Sequence, residues 1–346
     1  MTVIAHPLVT RARELADGLL SPAAERVDQD GVPASHIQAI KRSGLLGLNA
    51  PVEYGGSAAP VAVVRETAEI LAGACCSTWF VQTQHHTPVT TLTATGLPVR
   101  ERLLGPLARG ELLSGVAYAH LRSYPRLPVR VRRQADGWHF RGTVPWYTGW
   151  GLNDVMLLAG VTEDDEALFA FTDAREQPGL AVSEPMRLAA LTASRTVSLR
   201  LDDLRVPEEA VALRLPFGDW AAMDRPKTRN ANPAVFGITS AALELVEDEY
   251  AAPLRLRLEE IRHRAYTLAD HPVPHEHTEE RLALREEAFT LMRTATTAAV
   301  VTGGGRAMSL GNRAQRLARE GLFLLVQGQT GESRTAHLKR LAERPR

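Results

Sequence analysis

The hydrophobic period of this chain changes twice, and those changes limit the architectures open to it. Up to about Arg109 apolar residues recur at helical spacing, as Leu8, Ala12, Leu15, Leu19 and Val27 do between Pro7 and Gln29. From Leu113 to about Val206 the pattern alternates in the segments LLSGVAYA, LPVRVRRQ, WHFRGTVPW, DVMLLAGV, ALFAFTDA, LAVSEP and ASRTVSLRLDDLRVP. Turn residues such as Ala135-Asp136-Gly137 separate them. After Phe217 the helical period returns. Segregated helical and alternating blocks predict an α+β fold: an N-terminal helical domain over 1–112, a middle antiparallel β-domain over 113–212 and a C-terminal helical bundle over 213–346.

Within the first block, a helix follows Ser35 and stops near Gly44, and Gly55-Gly56 makes a turn. Two further helical stretches are expected from Pro60 to Thr95, divided at Gly73. The second, CCSTWFVQTQHHTPVTTL, carries Trp79, Gln82, Gln84, His85 and His86 among apolar neighbours, so polar groups are expected to project from a buried helix into a cavity. Adjacent histidines point about 100° apart on a helix, which argues against a shared metal ion. His271, His275 and His277 have metal-like composition, but PVPHEHTEE reads as a solvated loop opening a helix. No metal site is expected. The stretch Trp138–Ala159 has the pattern of a β-hairpin whose turn concentrates Trp146, Tyr147, Thr148 and Trp150. Such a surface suits a flat polar heterocycle, although for the stretch taken alone an aromatic-rich core hairpin is the favoured reading.

Composition excludes several classes. Lys plus Arg equals Asp plus Glu at 40 each, so no net field steers the chain to nucleic acid or an anionic membrane. Lysine occurs only at Lys41, Lys227 and Lys339. With 45% hydrophobic and 23% charged residues, disorder is not indicated. Cys75 and Cys76 are adjacent in an expected helix, a poor geometry for an intrachain disulfide. The N-terminus has no basic region followed by an apolar core, and no apolar run reaches spanning length, so a cytoplasmic protein is expected.

Several motifs together resemble the acyl-CoA dehydrogenase superfamily. G-x-x-x-W-x-T, ending in Trp146 and Thr148, is similar to its flavin-contacting strand. GL-x-x-P-x-EYGG, from Gly47 to Gly56, looks like the loop beside its acyl-chain entrance, and LDDLRVPEEAV like the segment leaving its β-barrel. The resemblance covers nearly the whole chain and implies an acyl-CoA dehydrogenase-like fold with a middle antiparallel β-barrel, a homodimer or homotetramer, and FAD, with FMN as the alternative. It assigns Tyr118, Trp146, Thr148, Gly303, Gly304 and Thr330 to the cofactor. It places the helix of Trp79, Gln84, His85 and His86 along the substrate cavity. His120, His85, His86 and Gln84 become candidates for polarising or orienting substrate, and Trp79, Arg122 and Thr228 for binding it, Arg122 through an anionic group.

The catalytic pattern departs from that family. Its loop T-E-P-G-A-G-S-D is replaced by LRSYPRLP, with Leu121 at the usual Thr. Val326-Gln327-Gly328-Gln329-Thr330 places Gly328 where the commoner Glu base would stand, and Thr228 falls at the alternative base position. Neither can abstract a proton near neutral pH. The R-x-x-F-G segment is missing between Tyr250 and Arg264. The resemblance thus implies a flavin oxidoreductase of specialised metabolism, first as a monooxygenase supplied with reduced flavin, which needs no carboxylate and draws on a flavin reductase. The alternatives are a dehydrogenase of coenzyme A or carrier-protein thioesters with its base relocated to Glu53, Asp224 or His120, and a flavin-poor relative with a non-redox or binding role.

Overall fold

Proline and capping residues open the helices where the period predicts them. In the computed structural model, which describes residues 3–123, 125–126, 128–273 and 275–343, α1 (Pro7–Leu15) begins at His6, whose Nδ1 accepts from the Leu8 N–H. A π-turn leads into α2 (Ser21–Asp30), and α3 (Ala34–Arg42) ends before Gly44 at φ 78°. Next come α4 (Val61–Ala74), α5 (Cys76–Thr83), α6 (His86–Ala94) and α7 (Val99–Ala108).

The strands are β1 (Ser114–Ala117), β2 (Val129–Gln134), β3 (Gly137–Tyr147), β4 (Val155–Val161), β5 (Glu166–Asp173), β6 (Leu180–Val182), β7 (Val197–Val206) and β8 (Val211–Pro216). They form one sheet in the order β6-β7-β3-β2-β4-β5-β8, with β1 on β4. Pairing is antiparallel except where β4 meets β1 and β2 in parallel. Trp138–Ala159 is not a hairpin: β3 pairs with β2 and β7, whereas β4 pairs with β1, β2 and β5. The tight turn lies before β3, at Ala135-Asp136-Gly137, where Gly137 adopts φ 138° and closes β2 on β3. β8, which the sequence pattern did not disclose, extends the sheet past residue 212 to Pro216.

β4 is buried along its whole length. Met156 and Leu158 enter a core with Phe140 and Val131, while Leu157 and Ala159 face Leu104 and Leu107 of α7. A continuous apolar strand is what a sheet covered on both faces requires.

The C-terminal helices are α8 (Phe217–Asp224), α9 (Pro233–Leu243), α10 (Asp248–Ala269), α11 (Thr278–Gly303), α12 (Arg313–Val326) and α13 (Gly331–Ala342). Helices α9 to α12 share a core with the N-terminal helices, including Leu20, Leu71, Phe236, Phe289 and Leu317, while Phe217 and Trp220 of α8 join the core between the sheet and α7. Among the described residues no helix is long and apolar enough to cross a membrane.

Gly73 does not divide two helices. It lies inside α4, and the break falls at Cys75, whose φ of −155° is extended. A Cβ at Gly73 would sit 2.8 Å from the Gly237 carbonyl oxygen, and one at Gly237 only 2.1 Å from that of Glu69. The two glycines let α4 and α9 cross at backbone contact. Gly237→Ala is therefore expected to lower stability by about 1–3 kcal/mol, since an added methyl must push two helices apart. Urea denaturation measures it, and an unchanged midpoint would show that the crossing yields freely.

Candidate functional site

One cavity of about 270 Å³ lies where the Leu48-Asn49 loop, α4, the α5–α6 junction, the start of α9 and the end of α12 meet. Its polar lining includes Thr67, Trp79, Gln82, His86, Asn232 and Gln327. The chain between α5 and α6 turns at Gln84 and His85, which sends the two histidines apart, their rings 6.3 Å apart and 80° to each other. His85 is fully buried and its Nδ1 accepts from the Ser114 N–H at 3.1 Å. His86 lines the cavity, and the Gln82 amide nitrogen donates to its Nε2 at 2.8 Å.

Burial pushes His86 down to about 4, and burial, with His86 alongside, pushes His85 down to about 3. A neutral His86 accepting at Nε2 carries its proton on Nδ1. That Nδ1, the Trp79 indole Nε1 and the Thr67 hydroxyl are buried without a hydrogen-bond partner among the described residues. Each unmet buried polar group costs about 1–3 kcal/mol. Three of them on residues lining one cavity mark a place for a molecule that offers hydrogen-bond acceptors.

No aspartate or glutamate lines this cavity among the described residues. Arg65, which does, is held outward by a bidentate pair with Asp270 at 2.7 and 3.0 Å. The loop after α12 presents Gln327, whose Oε1 accepts from Asn232 Nδ2 at 2.9 Å, while Gly328 makes the turn at φ 66°. Gln327 therefore presents its amide to the cavity beside Gly328. Asn232 lines the cavity, whereas the Thr228 hydroxyl donates to the Arg225 carbonyl.

The other expected site residues are not among those lining the cavity. His120 is buried, with Nε2 3.0 Å from the Ala159 carbonyl, and burial pushes it down to about 4. Gln84 donates to the Phe80 carbonyl of its own helix. Neither reaches the cavity. Arg122 makes a bidentate pair with Asp224 at 2.7 and 2.9 Å, so the cation proposed for an anionic substrate and one proposed replacement base are bound to each other. Glu53 is exposed on the Val52–Tyr54 turn. Tyr118 packs edge-on against Phe169, and its hydroxyl bonds Thr87 at the cavity wall. Tyr124 and Leu127 of the LRSYPRLP segment, and Pro274 of PVPHEHTEE, lie outside the described residues. His271, Glu276 and His277 come together. Their ligand atoms lie within 4.8 Å of one another, an arrangement that could hold a metal ion, while the Val273 N–H donates to His271 Nδ1 and His271 Nε2 lies 3.7 Å from Glu276.

The family model for the N-terminal domain of acyl-CoA dehydrogenases matches residues 5–111. The mitochondrial short-chain specific acyl-CoA dehydrogenase of Bos taurus is 23% identical over 245 residues, 67% of this chain and 59% of that enzyme. Among solved structures, butyryl-CoA dehydrogenase from Megasphaera elsdenii superposes with a TM-score of 0.83 at 18% identity, covering 99% of both chains. Residues 5–111 thus match the acyl-CoA dehydrogenase N-terminal domain, and the whole chain has the acyl-CoA dehydrogenase fold. Dibenzothiophene monooxygenase from Paenibacillus sp. A11-2 has a similar fold, with a TM-score of 0.78, 18% identity and 97% coverage of both chains.

The residues expected at a cofactor divide between surface, interior and chain turns. Trp146 is 55% exposed at the end of β3. Thr148, just past it, is buried, its hydroxyl 3.1 Å from that of Thr196, which in turn meets Ser194 Oγ at 3.1 Å. Gly303 ends α11, and a Cβ built on Gly304 or Gly305 meets nothing within 4 Å. Thr330 caps α13, accepting from the Ser333 N–H, so its local task is a helix end.

The buried histidines give a sign to the acid response. His85, His86 and His120 hold folded values of about 3, 4 and 4 against 6.5, so below 6.5 the unfolded chain binds the extra protons and stability falls with pH. Glu69, raised by burial from 4.5 to about 7, works the opposite way over that window. His36, also pushed down by burial, adds to the histidines, and Glu320, pushed up by burial, adds to Glu69; the histidines outnumber the opposing carboxyls, so stability is expected to fall as pH drops from about 6 to 5. Denaturant midpoints across that range check the slope, and a flat profile would contradict it.

Proposed function

We propose that this chain is an FAD-dependent oxidoreductase, with FMN as the alternative cofactor, that oxygenates its substrate instead of desaturating an acyl thioester. The observation that carries this is the cavity lining: Gln327, tied to Asn232, stands at the loop where a base would act, and no described carboxylate lines the wall. Removal of a weakly acidic α-proton needs a base held against the substrate. Oxygenation does not.

The residues present fit a flavin. Trp146 offers a half-exposed aromatic face, Thr148 a hydroxyl beside it, and Gly304 open backbone. Trp146 and Thr148 would hold the ring, and Gly303 and Gly304 the adenosine half. When bound, the flavin supplies the redox chemistry and the activation of oxygen. The chain's own part is to bind and orient: the unpartnered donors of Trp79 and His86 engage acceptor atoms of the substrate, the Gln327-Asn232 pair fixes one wall, and burial excludes water. A flavin reductase is the expected partner, in specialised metabolism. The exposed apolar side chains of Val301, Met308, Leu310, Leu322 and Val326 support a homodimer or homotetramer through the C-terminal helices.

The test is purified protein loaded with FAD. Oxygen uptake that depends on both a reductase and an aromatic or heteroatom-bearing compound of the cavity's size is expected. Anaerobic bleaching by an acyl thioester would instead select the dehydrogenase, and protein that takes up neither FAD nor FMN would favour a non-redox role.

A further inference from the structure

A second concavity, larger than the cavity at Gln327 and of about 560 Å³, lies between α2, the start of α3 and Arg195 just before β7. Its wall is apolar along Leu19, Ala23, Val27 and Val32, and its charged groups are Arg26, Arg195 and Asp30. Neither guanidinium has a hydrogen bond or ion pair among the described residues. Elsewhere in the same layer arginines are paired: Arg11 with the Ser43 carbonyl, Arg13 with Glu66, Arg316 with Glu25 and Glu320, Arg319 with Asp28. Two unpaired cations against one acid leave the concavity positive.

Arg195 is delivered there by unusual backbone. Both Arg195 and Leu191 sit at positive φ, 51° and 59°, in the left-handed region that side chains other than glycine rarely adopt. The two walls are stitched together, since the Val32 N–H donates to the Ala193 carbonyl at 3.0 Å. His36 closes the floor, its Nδ1 3.3 Å from the Thr78 hydroxyl.

We infer that this concavity is a binding site for an organic oxyanion, a phosphate or carboxylate carried on a small apolar body, with Arg26 and Arg195 as its ligands. Guanidinium groups match oxyanion geometry, and the apolar wall accepts the rest of the molecule. The site abuts the backs of two elements already described. The Trp150 and Gly149 N–H groups donate to the Arg195 and Ser194 carbonyls at 3.2 and 2.9 Å, beneath the turn carrying Thr148. Thr78 precedes Trp79 of the cavity wall. An occupied oxyanion site would therefore brace both from behind.

Binding of phenyl phosphate, benzoate and inorganic phosphate to the full chain is measured by calorimetry and by the shift in melting temperature. Phenyl phosphate or benzoate should bind more tightly than inorganic phosphate, and the tighter of the two identifies the anion. Arg26→Gln and Arg195→Asn should each weaken it about tenfold or more. Asparagine tolerates the left-handed conformation at 195. Asp30→Asn should tighten binding by removing the opposing charge, a result that damage to the fold would not produce. Equal affinity in wild type and both arginine variants, or no binding of any of the three to the wild type at millimolar concentration, overturns the assignment. None of these readouts needs flavin, so they stand or fall separately from oxygenation.

Discussion

Gln327→Glu should make bound FAD bleach anaerobically with a short-chain acyl thioester, at a rate about 10²–10⁴-fold above the wild-type background. The change is isosteric. Asn232 Nδ2 already donates to Oε1 at 2.9 Å and can go on donating to a carboxylate oxygen in the same place. No other described carboxylate lines the cavity to repel the new charge, and His86 is neutral. Burial would raise the new carboxyl toward neutrality, which suits a general base. Flavin absorbance during anaerobic titration is the measurement. A variant that binds FAD and thioester yet stays inert would show that something other than the lost carboxylate separates this chain from the dehydrogenases, and would remove the main support for oxygenation.

Arg316→Leu should cost about 3–5 kcal/mol of stability, the largest single loss expected outside the apolar core. Arg316 and Glu320 are each 1% exposed, with both Glu320 oxygens 2.9 and 2.8 Å from Arg316 Nη1, and Arg316 Nε reaches Glu25 at 3.1 Å. Burial pushes Glu320 up even with that partner present. Without it, a carboxylate would be left charged and dry, so the group must take a proton or drag water into the seam between α12 and α2. Its folded value then lies well above the unfolded 4.5, the native state holds the extra proton, and the deficit relative to wild type should shrink as pH falls toward 4.5. Arg316→Leu combined with Glu320→Leu should recover most of the loss, because the pair is replaced as a unit. Urea midpoints of the three variants decide it; a double variant no better than the single would show that the packing of the arginine stem, and not its charge, was lost.

Period and turn chemistry made the three-part architecture readable in advance, because helices and strands bury their faces at different spacing. What they could not reveal was partnership. Trp138–Ala159 looks like a hairpin locally, but β3 and β4 find their neighbours among strands far along the chain, and β8 is too short to announce itself. Gly73 illustrates the same limit, since a glycine that ends a helix and one that lets another helix touch it look alike until Gly237 is placed beside it. At the site, Trp79 and His86 were legible as polar residues among apolar ones and do line the cavity. His85 has the same composition and neighbours, and only the turn between α5 and α6 sends it to the β1 backbone. The sequence did not show that Gln327 lines the cavity beside Gly328, because which side chain of a loop faces inward depends on which residue takes the left-handed turn, here Gly328.

The break at Cys75 gives the molecule a built-in reporter. Cys75 and Cys76 are the chain's only two thiols, both at most 1% exposed in the core shared by the helical domains, and burial pushes both away from the reactive thiolate. An alkylating reagent meets them only when that core parts, so the labelling rate of the native protein clocks its spontaneous opening, without any engineered probe.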